Sequence, residues 1–365
     1  MLLNGTTLTN LEIYRNSTDF TEKGSLLWIL DHTKTRFGSR LLKSWIGRPL
    51  VDKSILQERI DAVEEILDEP PPAYDKLVSL LKGLPDLAKG LARITYGQCT
   101  PKELASLLTA YQRIGNAFEP LEDPSHAGFK SPLWNDIVST LPRLRKPVSQ
   151  LLEVINLSKA RSEESKSELW VDDEQFEELA NCKFSLLMIE SDLKEELKSI
   201  RQLLKRPALK WTSVAGNEYL IELRHAEAKK VPANWLRVSS TKANLRFHTP
   251  EVKRKLEERD QQRERLARES ETAWQSFLSL CNQYYAVFRD VTSRLAIADC
   301  LQSLAVVAVQ PGYRKPNIVD EDKLEIVDGR HPMAEAVRPD PFVPNSVAMG
   351  EGEPRTKIIT ALVVE

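Results

Sequence analysis

Glycine and proline, the two residues that helices tolerate worst, are distributed very unevenly along this chain of 365 residues. Neither occurs in residues 148–206, a tract of 59 residues, or in residues 251–310, a tract of 60. The last 55 residues, in contrast, hold seven prolines and four glycines. The two tracts are also rich in Glu, Lys, Leu, Arg and Gln, so they predict long helices.

The spacing of apolar residues supports a helix in the first tract. These residues recur at steps of three and four, and they are Phe176, Leu179, Cys182, Leu186, Ile189, Leu193, Leu197, Ile200 and Leu204. Such a stripe is typical of the buried face of a helix. With about 40 helical residues in each tract, the helices would reach roughly 60 Å. The pattern favours an antiparallel arm with a small module at its tip, and several ordinary helices joined by polar turns are the alternative.

The segment between the two tracts reads as β-strands. Residues 209–215 and 218–223 are rich in β-branched and aromatic side chains and flank Gly216-Asn217, which predicts a hairpin. Residues 235–241 and 245–248 predict two further strands. The aromatic residues of this segment are expected to form the core of the module rather than a platform for stacking bases: Trp211, Tyr219, Trp235 and Phe247.

The N-terminal part is predicted to be mainly helical. Thr100 and Glu103 flank a proline in the pattern of a capping box, and Asp52 precedes apolar residues at helical spacing. The expected fold class is therefore mainly α, with a small β-rich module inserted between two long helices. Short β-prone runs at residues 324–327 and 356–364 indicate the start of a further α/β domain.

Positive charge is concentrated in the β-rich segment. Residues 205–255 contain twelve Lys and Arg but four acids, a net charge of +8, whereas the whole chain has a net charge of −2. This is the charge pattern of a polyanion-binding module. Ser239, Ser240, Thr241 and Asn244 lie among the cations, and their short polar side chains suit contacts to phosphate. A solvated basic surface without a partner is the alternative.

The sequence offers no motif for covalent or metal catalysis. The four cysteines are far apart, which predicts buried, reduced thiols, and the histidines show no ligand spacing. The phosphate-binding pattern G-x-x-x-x-G-K-[ST] is not found. No run approaches the ~18 unbroken apolar residues typical of a membrane span. We therefore expect no catalytic residue, no metal site and no membrane contact in this chain.

Several stretches together resemble the MutS family of DNA mismatch-repair proteins. The most specific is residues 24–46, GSLLWILDHTKTRFGSRLLKSWI, and the others are residues 10–13, 49–50, 59–63, 84–87, 329–332 and 342–345. Residues 240–243, with Arg246 and Phe247, are most similar to the third eukaryotic branch, the subunit specific to MutS-beta. The resemblance covers nearly the whole chain.

The resemblance implies a division of the chain into four segments. Residues 1–190 would form the core and lever, 191–255 the β-rich clamp, 256–310 the returning lever helices, and 311–365 the truncated start of the ATPase domain. By motif match, Lys242 and Arg246 would contact the DNA backbone, flanked by Arg237, Ser239, Ser240 and Asn244. Phe342 and Val343 match the stretch that packs on adenine.

The resemblance also implies a function. Family members recognise mismatches and insertion/deletion loops under ATP gating, with ATP and Mg as cofactors, a second MutS homologue as heterodimer partner, and a nuclear location. Walker A, Walker B and the mismatch-reading domain are not found here. The chain is therefore expected to bind duplex DNA through the clamp without hydrolysing ATP by itself. The alternative is a helical scaffold that binds protein partners, with an incidental basic tip.

Overall fold

The computed structural model describes residues 1–118, 127–162, 165–337 and 341–350, together with Gly352 and Pro354, except for the side chain of Lys230. These residues form fourteen α-helices: α1 Gly5–Asn10, α2 Leu26–Leu30, α3 Arg36–Gly47, α4 Lys53–Asp68, α5 Pro72–Leu81, α6 Leu87–Thr95, α7 Pro101–Ala117, α8 Pro132–Thr140, α9 Arg145–Val154, α10 Leu157–Arg161, α11 Glu177–Leu203, α12 Pro250–Gln283, α13 Tyr285–Ala308 and α14 Pro332–Val337. Their strands are β1 Thr212–Val214, β2 Asn217–Arg224, β3 Leu236–Ser240, β4 Asn244–His248, β5 Lys323–Gly329 and β6 Asn345–Gly350. The predicted fold class, mainly α, is confirmed.

The chain divides into two compact units. The core unit comprises Met1–Leu151 and Cys281–Glu365, and the arm unit comprises Leu152–Leu280. The boundaries of the four segments inferred from the resemblance stay predictions.

Helix α13 lies at the centre of the core unit. It packs against α2, α3, α4, α5, α6 and α8. Among the described residues, it is the one helix that is long and apolar enough to cross a membrane. Two thirds of its most apolar 18-residue stretch, however, is buried within the protein. A helix that is apolar on all sides fits the interior of a helical domain, and α13 has that place here.

A buried carboxylate connects α13 to the beginning of α3. Asp299 on α13 is fully buried. Its Oδ1 accepts a hydrogen bond from the backbone N–H of Lys34 at 2.8 Å, and its Oδ2 accepts one from Thr35 N–H at 2.8 Å and one from Thr35 Oγ1 at 2.6 Å. A Cβ at Gly38 would lie 2.2 Å from Oδ2, so this glycine permits the close approach. Asp299 thus satisfies donors that would otherwise be orphaned at the start of α3.

Both predicted helix starts are confirmed. Thr100 accepts a hydrogen bond from Glu103 N–H, and Glu103 accepts one from Thr100 N–H, which completes the capping box of α7. Asp52 accepts hydrogen bonds from Ser54 N–H and Ile55 N–H at the start of α4. Both caps satisfy helix N–H groups that have no intrahelical partner.

Replacing Thr100 by alanine should lower the free energy of unfolding by about 1 kcal/mol, because the N-cap oxygen of α7 is lost. Urea denaturation followed by circular dichroism measures the change. Thr100→Ser keeps the hydroxyl and should remain close to the original stability. Equal losses for the two variants would show that the methyl group, not the cap, matters.

The four cysteines are unpaired and buried, as predicted. Burial raises the pKa of Cys99 and that of Cys281 to about 12. Both thiols are therefore protonated and unreactive near neutral pH.

The arm unit contains the antiparallel pair of helices that the two tracts predict. Lys255 on α12 pairs with Asp192 on α11 at 2.6 Å, and Arg265, further along α12, pairs with Glu178, further back on α11. The hydrogen bond from Lys255 to Asp192 raises the pKa of that lysine. With 27 and 34 residues, the helices are about 40 and about 51 Å long. Both are shorter than expected because α9 and α10 take up the start of the first tract and α13 takes up the end of the second.

The apolar stripe of α11 is buried at most predicted positions. Its buried members are Leu179, Cys182, Ile189, Leu193, Leu197 and Ile200. The prediction that one face of this helix faces a core is therefore confirmed.

Residues 205–249, here called the sheet module, connect α11 to α12 and carry four of the strands. The strands form an antiparallel sheet in the order β1-β2-β4-β3. Ala215 and Gly216 form the β1–β2 turn with φ values of 50° and 80°, the left-handed pair that a tight hairpin turn requires. The predicted hairpin and the two further strands are confirmed.

In the core unit, β5 and β6 form a two-stranded antiparallel sheet. Phe342 and Val343 lie three and two residues before the start of β6. The predicted β-prone run at residues 356–364 lies outside the described residues.

Candidate nucleic-acid interface

The sheet module has one apolar and one polar face, because side chains alternate along each strand. Ile221, Leu223, Leu245 and Phe247 share the apolar face by cross-strand register. They pack in one cluster with side chains from α11 and α12. The helical members of this cluster are Ile189, Leu193, Leu197, Ile200 and Val252. Burying this face fixes which side of the sheet remains available for a partner.

The aromatic residues of the module belong to its core, as predicted. Trp211, Tyr219 and Trp235 are partly buried against the same cluster. The rings of Trp211 and Tyr219 meet edge to face at 5.6 Å between centroids. This packing supports a structural role for these rings in the module.

An ion pair occupies the middle of the polar face. Glu222 on β2 lies opposite Arg246 on β4, and Arg246 Nε donates to Glu222 Oε2 at 2.6 Å. Asn244 Nδ2 donates to the other carboxylate oxygen of Glu222 at 2.9 Å. Only 14% of the Arg246 side chain is exposed. Arg246 and Asn244, both predicted to contact DNA, are thus oriented by one carboxylate.

Lys242 lies at the β3–β4 turn and is exposed. The turn is closed by Thr241, whose N–H donates to Asn244 O at 2.8 Å and whose Oγ1 accepts from Asn244 N–H at 3.0 Å. Within the described part of the chain, Lys242 has no ion pair. Its ammonium group is therefore free to meet an external anion.

The remaining predicted residues divide between the two faces. Ser239 lies opposite Arg246 and so belongs to the polar face. Arg237 and Ser240 lie opposite Phe247 and Leu245. They therefore belong to the apolar side of the sheet, at its edge strand β3. The six predicted DNA-binding residues therefore do not form one continuous patch.

Other cations of the module are exposed and have no ion pair with any described carboxylate. Besides Lys242, they are Lys205, Lys210, Arg224, Lys229 and Arg237. In contrast, Arg206 pairs with Glu227 at 2.9 Å. The positive charge that the sequence shows is therefore only partly neutralised within the fold, and a field attractive to polyanions remains.

Phe342 and Val343, the pair matched to adenine packing, lie next to β6. Phe342 is half-buried and Val343 is 57% exposed, so the pair offers apolar surface that could meet a base. Residues 1–118, 127–162, 165–337 and 341–350 contain no cluster of acidic, His or Cys side chains that could hold a metal ion. The adenine contact of Phe342 and Val343 stays a prediction, and no step through ATP follows from the described residues.

Comparison with known proteins decides the family. Residues 6–305 match the family described as MutS domain III. The chain belongs to the MutS family. Membership fits the helical fold with its inserted sheet, and it confirms the resemblance drawn from residues 24–46 and the shorter stretches.

Curated MutS relatives extend the match over almost all of the chain. DNA mismatch repair protein msh3 of Botryotinia fuckeliana (strain B05.10) is 42% identical over 98% of this chain, and MSH3 of Phaeosphaeria nodorum (strain SN15) is 45% identical over 99%. MSH3 of Cryptococcus neoformans var. neoformans serotype D (strain JEC21) is 41% identical over 99%. The chain spans about a third of the length of these relatives. The similarity to the third eukaryotic branch is thereby confirmed.

Sequence reasoning missed Glu222, because it treated this residue only as one of four acids in a basic segment. The alternation of apolar residues along β2 and β4 could have paired Glu222 with Arg246 across the strands. It also missed the distinction between paired and unpaired cations, since that depends on which acids the fold brings close.

Proposed function

We propose that this chain is the lever-and-clamp region of a MutS-type mismatch-repair protein and that its sheet module holds duplex DNA through phosphate contacts. One observation carries the proposal: the module keeps exposed cations without described ion pairs, at the end of a helical arm. Cations and short polar groups position a duplex without reading its bases. Binding should therefore be largely independent of sequence.

The activity of the whole protein extends the proposal. The relatives are named as mismatch-repair proteins. We propose that recognition of mismatches and insertion/deletion loops, ATP gating with Mg, and pairing with a second MutS homologue involve parts of the protein beyond this chain. Action on chromosomal DNA implies a nuclear location.

Replacing Lys242 by alanine should weaken binding to matched and looped duplexes equally, because a phosphate contact carries no base information. In a titration of log K against log salt, the slope should become less negative by about 0.9. Fluorescence anisotropy with labelled duplexes measures both quantities.

Lys198→Ala is the matched control for Lys242→Ala. It removes the same charge from α11, where Lys198 already pairs with Glu195 at 2.6 Å. Its slope should equal that of the unmodified chain. If binding is insensitive to salt, or if both variants change the slope equally, the phosphate-binding proposal is wrong.

The rival function, a scaffold for protein partners, is favoured by one feature of α11. Phe184, Leu187 and Met188 are 64%, 64% and 48% exposed and lie on one helix face. Large exposed apolar patches often mark interaction sites. The salt titration distinguishes the two functions. A scaffold with an incidental basic tip would bind the duplex too weakly for a slope of log K against log salt to be measured.

A further inference from the structure

A cleft of about 480 Å³ lies beside Glu222, on the polar side of the sheet module. Its lining includes Lys205, Arg206 and Lys210 from the loop that follows α11, Thr212 from β1, and Glu222 from β2. None of the three cations belongs to the stretch that motif matching assigns to DNA contact. The cleft is therefore a separate site on the same module.

The loop that forms the rim of the cleft is held in place by its own contacts. Leu209 is buried in the cluster beneath the sheet. Arg201 Nε donates to the carbonyl oxygen of Leu209 at 2.8 Å, and Arg206 is held by Glu227. These contacts fix the backbone between Lys205 and Lys210, so the rim is built before any ligand arrives.

The charges around the cleft leave an excess of positive charge. Glu222 is neutralised by Arg246 on its other side, and Arg206 is neutralised by Glu227. Lys205 and Lys210 are exposed and make no ion pair with the described carboxylates. A small anion with oxygen acceptors complements this arrangement, because it would meet two cations and the nearby Thr212 hydroxyl.

The backbone at Lys205 supplies an independent observation. Lys205 follows the end of α11 and has φ = 55°, in the left-handed region where helices usually place glycine. A residue with a side chain is less stable there than glycine, by about 1 kcal/mol. Backbone hydrogen bonds of the helix cap form this turn, from Lys205 N–H to Gln202 O at 3.2 Å and from Arg206 N–H to Arg201 O at 2.9 Å. No side-chain hydrogen bond or ion pair among the described residues accounts for lysine rather than glycine at this position. Strained positions of this kind often serve a function.

We propose that the cleft is a phosphate-binding site in which Lys205 and Lys210 hold a phosphodiester of the same duplex that Lys242 contacts. The proposal rests on the proposed function, since it adds a second contact to the same ligand. Glu222 separates the two positions: it forms a wall of the cleft and holds Arg246 and Asn244 on the face beyond it.

Lys205→Gly tests the site by two measurements, thermal stability and the affinity for DNA. If Lys205 had a purely structural role, the two would change together. Glycine relieves the left-handed strain, so the midpoint of thermal unfolding should rise or stay unchanged. Lys205 and Lys210 share one phosphate, so loss of either cation should make the salt slope less negative by roughly half of 0.9 and weaken binding roughly threefold at 0.1 M salt. Lys210→Ala should give the same change in slope.

Ala215→Gly is the matched control. Ala215 also has a left-handed backbone, with φ = 50°, but it carries no charge. The variant should be stabilised in the same way and should bind the duplex as the unmodified chain does. If Lys205→Gly and Lys210→Ala leave the slope unchanged while Lys242→Ala reduces it, the cleft proposal fails and the proposed function stands. If Lys242→Ala also leaves it unchanged, both fail.

A competition experiment identifies the source of the phosphate. ATP and inorganic phosphate are added to the labelled duplex complex, each compared with chloride at equal ionic strength. For a duplex phosphodiester, neither should displace the DNA beyond the effect of chloride. Displacement by ATP that disappears in Lys205→Gly would make the cleft a nucleotide site and would overturn the proposal.

Discussion

Replacing Asp299 by alanine is expected to lower the free energy of unfolding of the core unit by about 4 kcal/mol. Three hydrogen bonds to a carboxylate are lost, roughly 4.5–9 kcal/mol in total at 1.5–3 kcal/mol each. Alanine also removes the cost of burying the carboxylate, the same burial that raises the pKa of Asp299, and this offsets part of the loss. The donors at Lys34 and Thr35 lose their acceptor, and the Thr35 donors are in a buried environment. Urea denaturation followed by circular dichroism measures the loss.

Asp290→Ala is the control for Asp299→Ala. Asp290 lies on the same helix, but its side chain is 42% exposed and its contacts are to Arg143 and Arg294. Surface ion pairs contribute roughly 0–1 kcal/mol, so this variant should remain nearly as stable as the original chain. Similar losses for the two variants would remove the special role assigned to the buried carboxylate.

Replacing Arg246 by alanine should weaken duplex binding about 100-fold at 0.1 M salt, more than Lys242→Ala does. A single phosphate contact contributes roughly tenfold at this salt concentration. Arg246 can supply one although it is ion-paired, because only its Nε donates to Glu222 and its two Nη groups make no bond to a described residue. Arg246→Ala also leaves Glu222 without its counter-charge on the face that we propose to meet the DNA, which adds a repulsion of similar size. The expected signature is thus a loss about ten times that of Lys242→Ala, measured by fluorescence anisotropy.

The double variant Arg246→Ala with Glu222→Gln separates the two contributions. Removing the bare carboxylate should recover about tenfold of the lost affinity, so that the double variant resembles Lys242→Ala. Circular dichroism must show that the helices and strands remain folded. If Glu222→Gln recovers nothing, repulsion by the carboxylate is not part of the loss.

The sequence predicted the helices and the hairpin well, because their signals are local. The stripe from Leu179 to Ile200 and the caps at Thr100 and Asp52 depend on residues within a few positions of each other. The turn at Gly216 is equally local. Such signals survive in any tertiary context that buries the apolar face.

The arrangement of the candidate site could be predicted only in part. The excess of positive charge was visible in the composition, but the pairing of Arg246 with Glu222 depends on register between strands that are 24 residues apart in the chain. The placement of Arg237 opposite Phe247 depends on an irregularity in the pairing of β3 with β4. An irregularity of this kind redirects side chains without a clear mark in the sequence.

The shared apolar cluster beneath the sheet module has a consequence for how the arm opens. Leu193 and Leu197 on α11 are buried in the same cluster as Ile221 on β2 and Phe247 on β4. Regions that share one cluster tend to open together as a cooperative unit. Amide hydrogens in the middle of β2 and in the last turns of α11 should then exchange with solvent at matching rates. The stability of the sheet module against local unfolding is therefore set by the helical arm as well as by the sheet.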